Sequence, residues 1–303
     1  NPDNPPTGQV WYNRTDDVLR YKAPDGAGTW STGGNLNVGR RQMGQGTIGT
    51  QSSTLCISGL DGYSPKTENE SYNGSTWTEV GDVNTGRYLA SAFGNSSSAI
   101  FVGGFGPPTG TAINESWNGS AWSEVNDLNT ARNYAVGAGV QSAGLIFGGA
   151  GIGSENECES WNGSSWSEVG DTNSARYTSA SAGVQSSALH FGGANPFPGS
   201  ALTESWNGSA WSEVGDLNTA RKELGGAGVS NTSALAFVGS NTQLTESWNG
   251  SSWTEVNDTS TANAMVGGSG TQANALVMGG GFGSLHNTEE FSPLSGVKTI
   301  AKE

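Results

Sequence analysis

The chain is short of most groups that drive enzyme chemistry or nucleic-acid binding. It has 303 residues but only two His and two Cys. Lys and Arg together number 13 against 27 Asp and Glu, a formal net charge of −14. Phosphate contacts need clustered Lys and Arg, so nucleic acid is not an expected partner. Charged residues make up only 13% and hydrophobic ones 33%. No run nears the ~18 continuous apolar residues of a membrane span. Cys56 and Cys158 are too few for a disulfide framework and do not reveal a redox compartment. With two His no Ser-His-Asp arrangement is expected, and no Gly-rich run opens a helix as phosphate loops require. The chain opens at Asn1 rather than Met, consistent with an upstream segment, so the lack of a leader pattern carries no weight.

What is present is Gly, at 48 residues, together with 11 Trp, 9 Phe and 7 Tyr. Disordered chains lack large aromatics, so the aromatics point to a packed core. The aromatics recur. Glu115 to Val125, Glu-Ser-Trp-Asn-Gly-Ser-Ala-Trp-Ser-Glu-Val, returns at Glu159 to Val169, Glu204 to Val214 and Glu246 to Val256, with a Tyr version at Glu70 to Val80. The second Trp falls at Trp77, Trp122, Trp166, Trp211 and Trp253, at intervals of 45, 44, 45 and 42 residues. A degenerate copy ends at Trp30 and a last one begins at Glu290-Phe291.

Content decides which repeat fold this period represents. One unit reads as four short strands: Asn133 to Val140, Gly144 to Phe147, Cys158 to Trp161 and Ser165 to Val169. Asn162-Gly163 is a strong hairpin signal and predicts a type I′ turn. No 3.6-residue apolar period is present, and Gly and Ser are poor helix formers. Four antiparallel strands per unit describe a propeller blade. The expected fold is all-β: a six-bladed β-propeller of four-stranded antiparallel blades, its ring closed by the N-terminal strand around Trp30. The first strand of each unit is mostly Ala, Gly and Ser, as in Ala135 to Gly139, and is placed innermost, where bulk would clash. The indoles fill the wedges between blades, each burying on the order of 200 Å². Five units start near Arg41, Arg87, Arg132, Arg176 and Arg221, and a sixth near Ala262. Residues 1–16 read as an N-terminal extension, 17–296 as the propeller and 297–303 as a tail or closing strand. The division of Val18 to Lys22, Glu289 to Phe291 and Val297 to Ile300 between these parts stays open.

These units resemble kelch repeats. The likeness lies in the Gly doublets Gly103-Gly104, Gly148-Gly149, Gly192-Gly193 and Gly279-Gly280, an aromatic in the next strand, a Trp in the fourth, and an Arg opening the following unit. The spacing departs from that family: only four residues separate Trp117 from Trp122, and Ser58-Gly59 and Val238-Gly239 replace the doublet in two units. Gly8 to Asn13, Gly-Gln-Val-Trp-Tyr-Asn, followed by Leu19-Arg-Tyr21, is similar to openings of bacteriophage fibre and other virion proteins.

Enzymatic readings lack parts. Galactose-oxidase-like propellers need clustered His and Tyr ligands for copper, whereas His190 occupies a strand position of the type held by Ile146 and Val102 elsewhere and reads as a packed side chain. Sialidase-like propellers need three Arg converging on one carboxylate, whereas Arg87, Arg132, Arg176 and Arg221 recur one per blade. Each is expected to pair with a recurring carboxylate, such as Glu115, Glu159 or Glu204, and to tie adjacent blades. Trp77, Trp122, Trp166, Trp211 and Trp253 are structural in the same sense. Recurring Asp82, Asp127, Asp171, Asp216 and Asp258 read as backbone caps rather than Ca²⁺ ligands. No metal and no cofactor is expected.

Each unit is a control for the others. The first and third connections are small and nearly constant. The second connection varies strongly and carries aromatics and Pro: Tyr63, Phe105, Pro107, Phe197 and Phe282, with His286 beside them. Loops on a rigid scaffold carry function. These six residues are therefore the candidate binding site. The expected function is a non-enzymatic, repeat-based binding module: a virion or extracellular protein, such as a phage tail, tail-fibre or capsid-surface component. Other virion proteins or a host surface glycan would be its receptor-binding partners. The rival is a secreted glycan-active enzyme.

Overall fold

The structure, a computed structural model, describes residues 9–13, 18–22, 28–106, 109–151, 155–195, 198–293 and 297–300. Every regular element among them is a β-strand. The repeat resolves into sheets of the expected order. In blade three, Val136–Val140, Ala143–Phe147, Cys158–Trp161 and Trp166–Val169 pair antiparallel in sequence. Blades two, four and five repeat this pattern, starting at Ser91–Asn95, Ala180–Val184 and Gly225–Ser230. In blade six, Gly267–Gly270, Ala275–Met278 and Thr288–Pro293 are completed by Gly28–Thr32. Phe291 there faces Trp30 across the ladder, as Trp117 faces Trp122 in blade two. The N-terminal strand thus supplies the missing outer position, and the chain is a closed six-bladed β-propeller.

Blade one is the irregular member. Thr54–Ile57, Asn69–Tyr72 and Trp77–Val80 form a three-stranded sheet. Its innermost place is taken by residues 44–50, which make only isolated bridges. Gln45 and Ile48 bridge in parallel to Ser91 and Gly94 of blade two, and Gly46 reaches Gly137 of blade three. A Cβ on Gly46 would lie 2.3 Å from the Ala92 carbonyl oxygen and 2.7 Å from that of Gly137. Only Gly lets the backbone come this close to the hub. Val18–Lys22 and Val297–Ile300 join Val10–Asn13 in a separate three-stranded sheet, whereas Glu289 to Phe291 belong to blade six.

The apolar core is divided into six clusters, each drawn from two neighbouring blades. Phe93 and Ile100 of blade two pack with Ile146, Trp161 and Trp166 of blade three. Leu276 and Met278 of blade six pack with Cys56, Tyr72 and Trp77 of blade one. The indoles therefore fill the wedges, and the five second-position Trp are at most 6% exposed.

The predicted turn type is not what forms. Four residues, Asn162 to Ser165, lie between the paired Trp161 and Trp166. Asn162 is not among the residues with positive φ, whereas Gly163 has φ +92°. The Asn162 Oδ1 instead accepts the backbone N–H groups of Ser164 and Ser165, both at 2.9 Å. The amide side chain caps the loop, so the backbone has no need of the second positive φ that a I′ turn imposes.

Candidate binding face

The recurring Arg sit where the chain crosses from one blade to the next. Arg87, Arg132, Arg176 and Arg221 are buried and pair with Glu115, Glu159, Glu204 and Glu246 at 3.1, 2.8, 2.9 and 2.7 Å. In the first blade the buried partner of Glu70 is Arg40, not Arg41. Each Glu also holds the crossing link. Glu115 accepts the Asn84 backbone N–H at 2.7 Å and its Nδ2 at 2.8 Å. Burial pulls the Arg87 and Arg176 guanidinium pKa down to about 10, against the pull of their Glu partners. They remain cations at neutral pH.

These ion pairs lie within a blade. The ties between blades run through other atoms. On one face, the second residue of every Gly-Gly or Gly-like doublet donates its N–H to the carbonyl of the next blade's opening residue. Gly104 reaches Arg132 at 2.9 Å, Gly149 reaches Arg176 at 3.0 Å, and Gly239 reaches Asn263, which replaces Arg in blade six, at 3.0 Å. On the other face, the first hairpin turn of five blades carries a Gln or Asn that reaches the preceding blade, and in blade two Ser96 takes its place. Gln185 donates to the Trp161 carbonyl at 2.6 Å, and Gln51 to that of Phe291 at 2.6 Å across the closing seam. The expectation that Arg side chains tie blades is corrected accordingly. The side chain fixes the crossing, and its backbone carbonyl makes the tie. Of the recurring Asp, Asp216 and Asp258 act as backbone caps, accepting the Thr203 and Thr245 N–H groups at 3.1 and 2.9 Å.

The variable second connections share a face with the crossings. Backbone bridges such as Tyr88 to Phe105 and Tyr177 to Ala194 join the two. On this face Tyr63 is 97% exposed and Phe282 69%. They belong to different blades, but Arg41 brings their loops together. Its Nη1 donates to the Phe282 carbonyl and its Nη2 to that of Gly62 at 3.0 Å. Ser284 Oγ completes the tie by accepting the Gly62 N–H at 3.2 Å. Phe105 is half-buried, its ring 5.2 Å from that of Tyr88. His286 is exposed, and its Nδ1 lies 2.8 Å from the Leu36 carbonyl, to which it donates. Pro107 and Phe197 lie outside the described residues.

Sequence reasoning missed a second group on this face. Tyr88, Tyr134 and Tyr177 follow the buried Arg by one or two residues, and the Tyr134 and Tyr177 rings are 5.7 Å apart. Burial raises the Tyr134 phenol above its ordinary pKa, with Glu223, Tyr88 and Tyr177 adding to the shift. A signal existed: the residue two places after each Arg differs in every unit of a chain whose units otherwise nearly coincide.

His190 is fully buried. Its Nδ1 accepts from Arg176 Nη2 at 3.1 Å, and its Nε2 donates to Ser179 Oγ at 2.7 Å. Burial first, and the Arg176 charge second, hold it neutral, well below the ordinary imidazole pKa. The same place in blade two holds Phe101 rather than the expected Val102, because Phe101 pairs with Glu115 as His190 pairs with Glu204, and its ring lies 4.4 Å under the Arg87 guanidinium. Among the described residues no three His, Cys, Asp or Glu side chains gather as a metal site would require. No model of a known protein family and no curated protein matches the chain.

Proposed function

We propose that this propeller is a non-enzymatic binding module that presents its variable loop face to a surface glycan. The observation that carries the reading is the exposed aromatic pair Tyr63 and Phe282 on the variable face, their loops clamped by Arg41. Large exposed aromatics on a rigid frame supply contact area at low entropic cost. Arg87, Arg132, Arg176 and Arg221 are at most 1% exposed and held by internal Glu, which counts against a sialidase-like Arg triad. The kelch resemblance supports a loop-face site. The polar, Lys-poor composition and the opening at Gly8 to Asn13 support carriage on a phage tail, fibre or capsid surface.

The test is glycan-array and host-cell binding by the full chain and by a Tyr63→Ala/Phe282→Ala variant. Binding by the wild type and its loss in the variant is expected. Undiminished binding by the variant would move the site elsewhere. Absence of the protein from purified particles, by mass spectrometry, would refute the virion assignment.

A further inference from the structure

Six residues ring the propeller axis at its loop-face end: Gln42, Leu89, Tyr134, Thr178, Glu223 and Met265. All have positive φ, between 54° and 60°. They are linked head to tail through their backbones. Leu89 N–H donates to Gln42 O at 2.9 Å, Tyr134 to Leu89 at 2.8 Å, Glu223 to Thr178 at 2.7 Å, Met265 to Glu223 at 2.9 Å and Gln42 to Met265 at 3.0 Å.

The left-handed conformation is unfavourable for an L-residue and costs Gly almost nothing. This chain uses Gly freely, yet none of the six is Gly. Six different side chains are held at strained positions on a shared ring. Strain of that kind, once observed, is a pointer to function. Structural need alone would favour one residue type at all six, as it does at the second position of the neighbouring doublets, which is Gly in every unit.

The ring encloses a pocket with room for about one water molecule, ~10 Å³, and its floor includes Gln45 and Ala135. Thr178 lines it. That residue is 8% exposed, and its hydroxyl has no hydrogen-bond partner. A buried polar atom without a partner calls for a ligand or an ordered water. Above the pocket the ring mixes apolar and polar side chains. Tyr134, with Tyr177 against it, forms an aromatic wall. Glu223 and Gln42 offer a carboxylate and an amide on another part of the ring. Burial raises the Glu223 carboxyl pKa, and Lys222 beside it works in the opposite direction.

We infer that this axial mouth is a subsite for one neutral pyranose unit, with Tyr134 against its C–H face and Glu223 and Gln42 on its hydroxyls, while Thr178 holds the one water that the pocket beneath has room for. A sugar has apolar C–H faces and hydroxyl-bearing edges, and the ring offers partners of both kinds. The inference rests on the glycan reading above and adds a second contact point, separate from Tyr63 and Phe282.

Saturation-transfer NMR with a panel of methyl pyranosides (glucoside, galactoside and N-acetylglucosaminide) tests it on the full chain. Two variants probe the mouth: Glu223→Gln, which keeps shape, and Tyr134→Leu, which places at this φ the side chain Leu89 already carries there. Wild-type binding, weakened about tenfold or more by each variant at unchanged melting temperature, is expected. Transfer to no pyranoside, or equal transfer in the mouth variants, overturns the subsite. Capture of tetramethylammonium in preference to the pyranosides does so too, by making the mouth a cation cage. Array binding that survives the mouth variants but not Tyr63→Ala/Phe282→Ala removes the subsite alone. No glycan bound in any format removes the function with it.

Discussion

The two faces of the disc are made by the same repeat and treated oppositely. The face of the first and third hairpin turns repeats almost unchanged: a Gln or Asn reaching the preceding blade, and an Asn capping its own loop. Gln185 to Trp161 and Asn162 to Ser164 and Ser165 stand for the set. The opposite face keeps only its lowest layer constant, the Gly-doublet amides on the Arg carbonyls. Everything above that layer differs from copy to copy. The contrast shows where interchangeability is required. Ties between blades must repeat for the ring to close, whereas side chains raised over those ties are free to diverge.

The largest effect should follow from breaking the constant layer beneath the variable face. Arg132→Ala or Arg176→Ala leaves Glu159 or Glu204 buried without its cation, and a loss of about 3–5 kcal/mol is expected. Thermal or urea unfolding measures it, and unchanged stability would show that the crossings hold without the guanidinium.

The next effect comes from a place where divergence between copies reaches the interior. His190 is neutral when folded, and its pKa is depressed, so the unfolded chain binds a proton that the folded chain refuses. Stability is then full above pH 6.5 and falls below it, by up to about 1.4 kcal/mol per pH unit. Between pH 7 and 5 the wild type should lose about 2 kcal/mol more than His190→Ile, which installs the residue that blade three carries at Ile146. Equal losses would mean that the imidazole is charged, or solvated, in the fold.

Much of this architecture is legible in the sequence, because a repeat exposes its own constraints. The spacing of Trp77 to Trp253 counts the blades, and Trp30 marks the closing strand. Other features are not legible for physical reasons. The ties from Gly104 to Arg132 and from Gly149 to Arg176 are backbone bonds, and any side chain could sit on their acceptors. Arg40 and Arg41 are adjacent, so composition cannot tell the one buried on Glu70 from the one that clamps Tyr63 and Phe282. Asn-Gly has two ways to turn, and pairing of Trp161 with Trp166 leaves four residues to do it. The axial ring is the reverse case. Its signal, a position unlike itself in every unit, is plain in the sequence but mixes Leu, Thr and Met with Tyr and Glu. A search for exposed aromatics passes over it.

Two smaller effects sharpen the contrast between the faces. Gln185→Ala removes donors to the Trp161 and Gly144 carbonyls and to Ser160 Oγ, at 2.6, 3.2 and 2.9 Å. A loss of about 1–3 kcal/mol is expected, read by urea unfolding. A neutral result would mean that water replaces the amide, and that the constancy of this face has another origin. The smallest effect on stability belongs to Tyr63→Ala/Phe282→Ala. These rings stand in solvent, and the clamp that brings them together uses Arg41 and the backbone carbonyls of Phe282 and Gly62 rather than the rings. Truncating both should change stability by no more than about 0.5 kcal/mol. Truncating Trp253, 5% exposed in a wedge, should cost about 3–5 kcal/mol. A large loss from the exposed pair would make Tyr63 and Phe282 part of the ring's closure. Their exposure would then reflect the seam between the last and first blades rather than a surface kept open for a ligand.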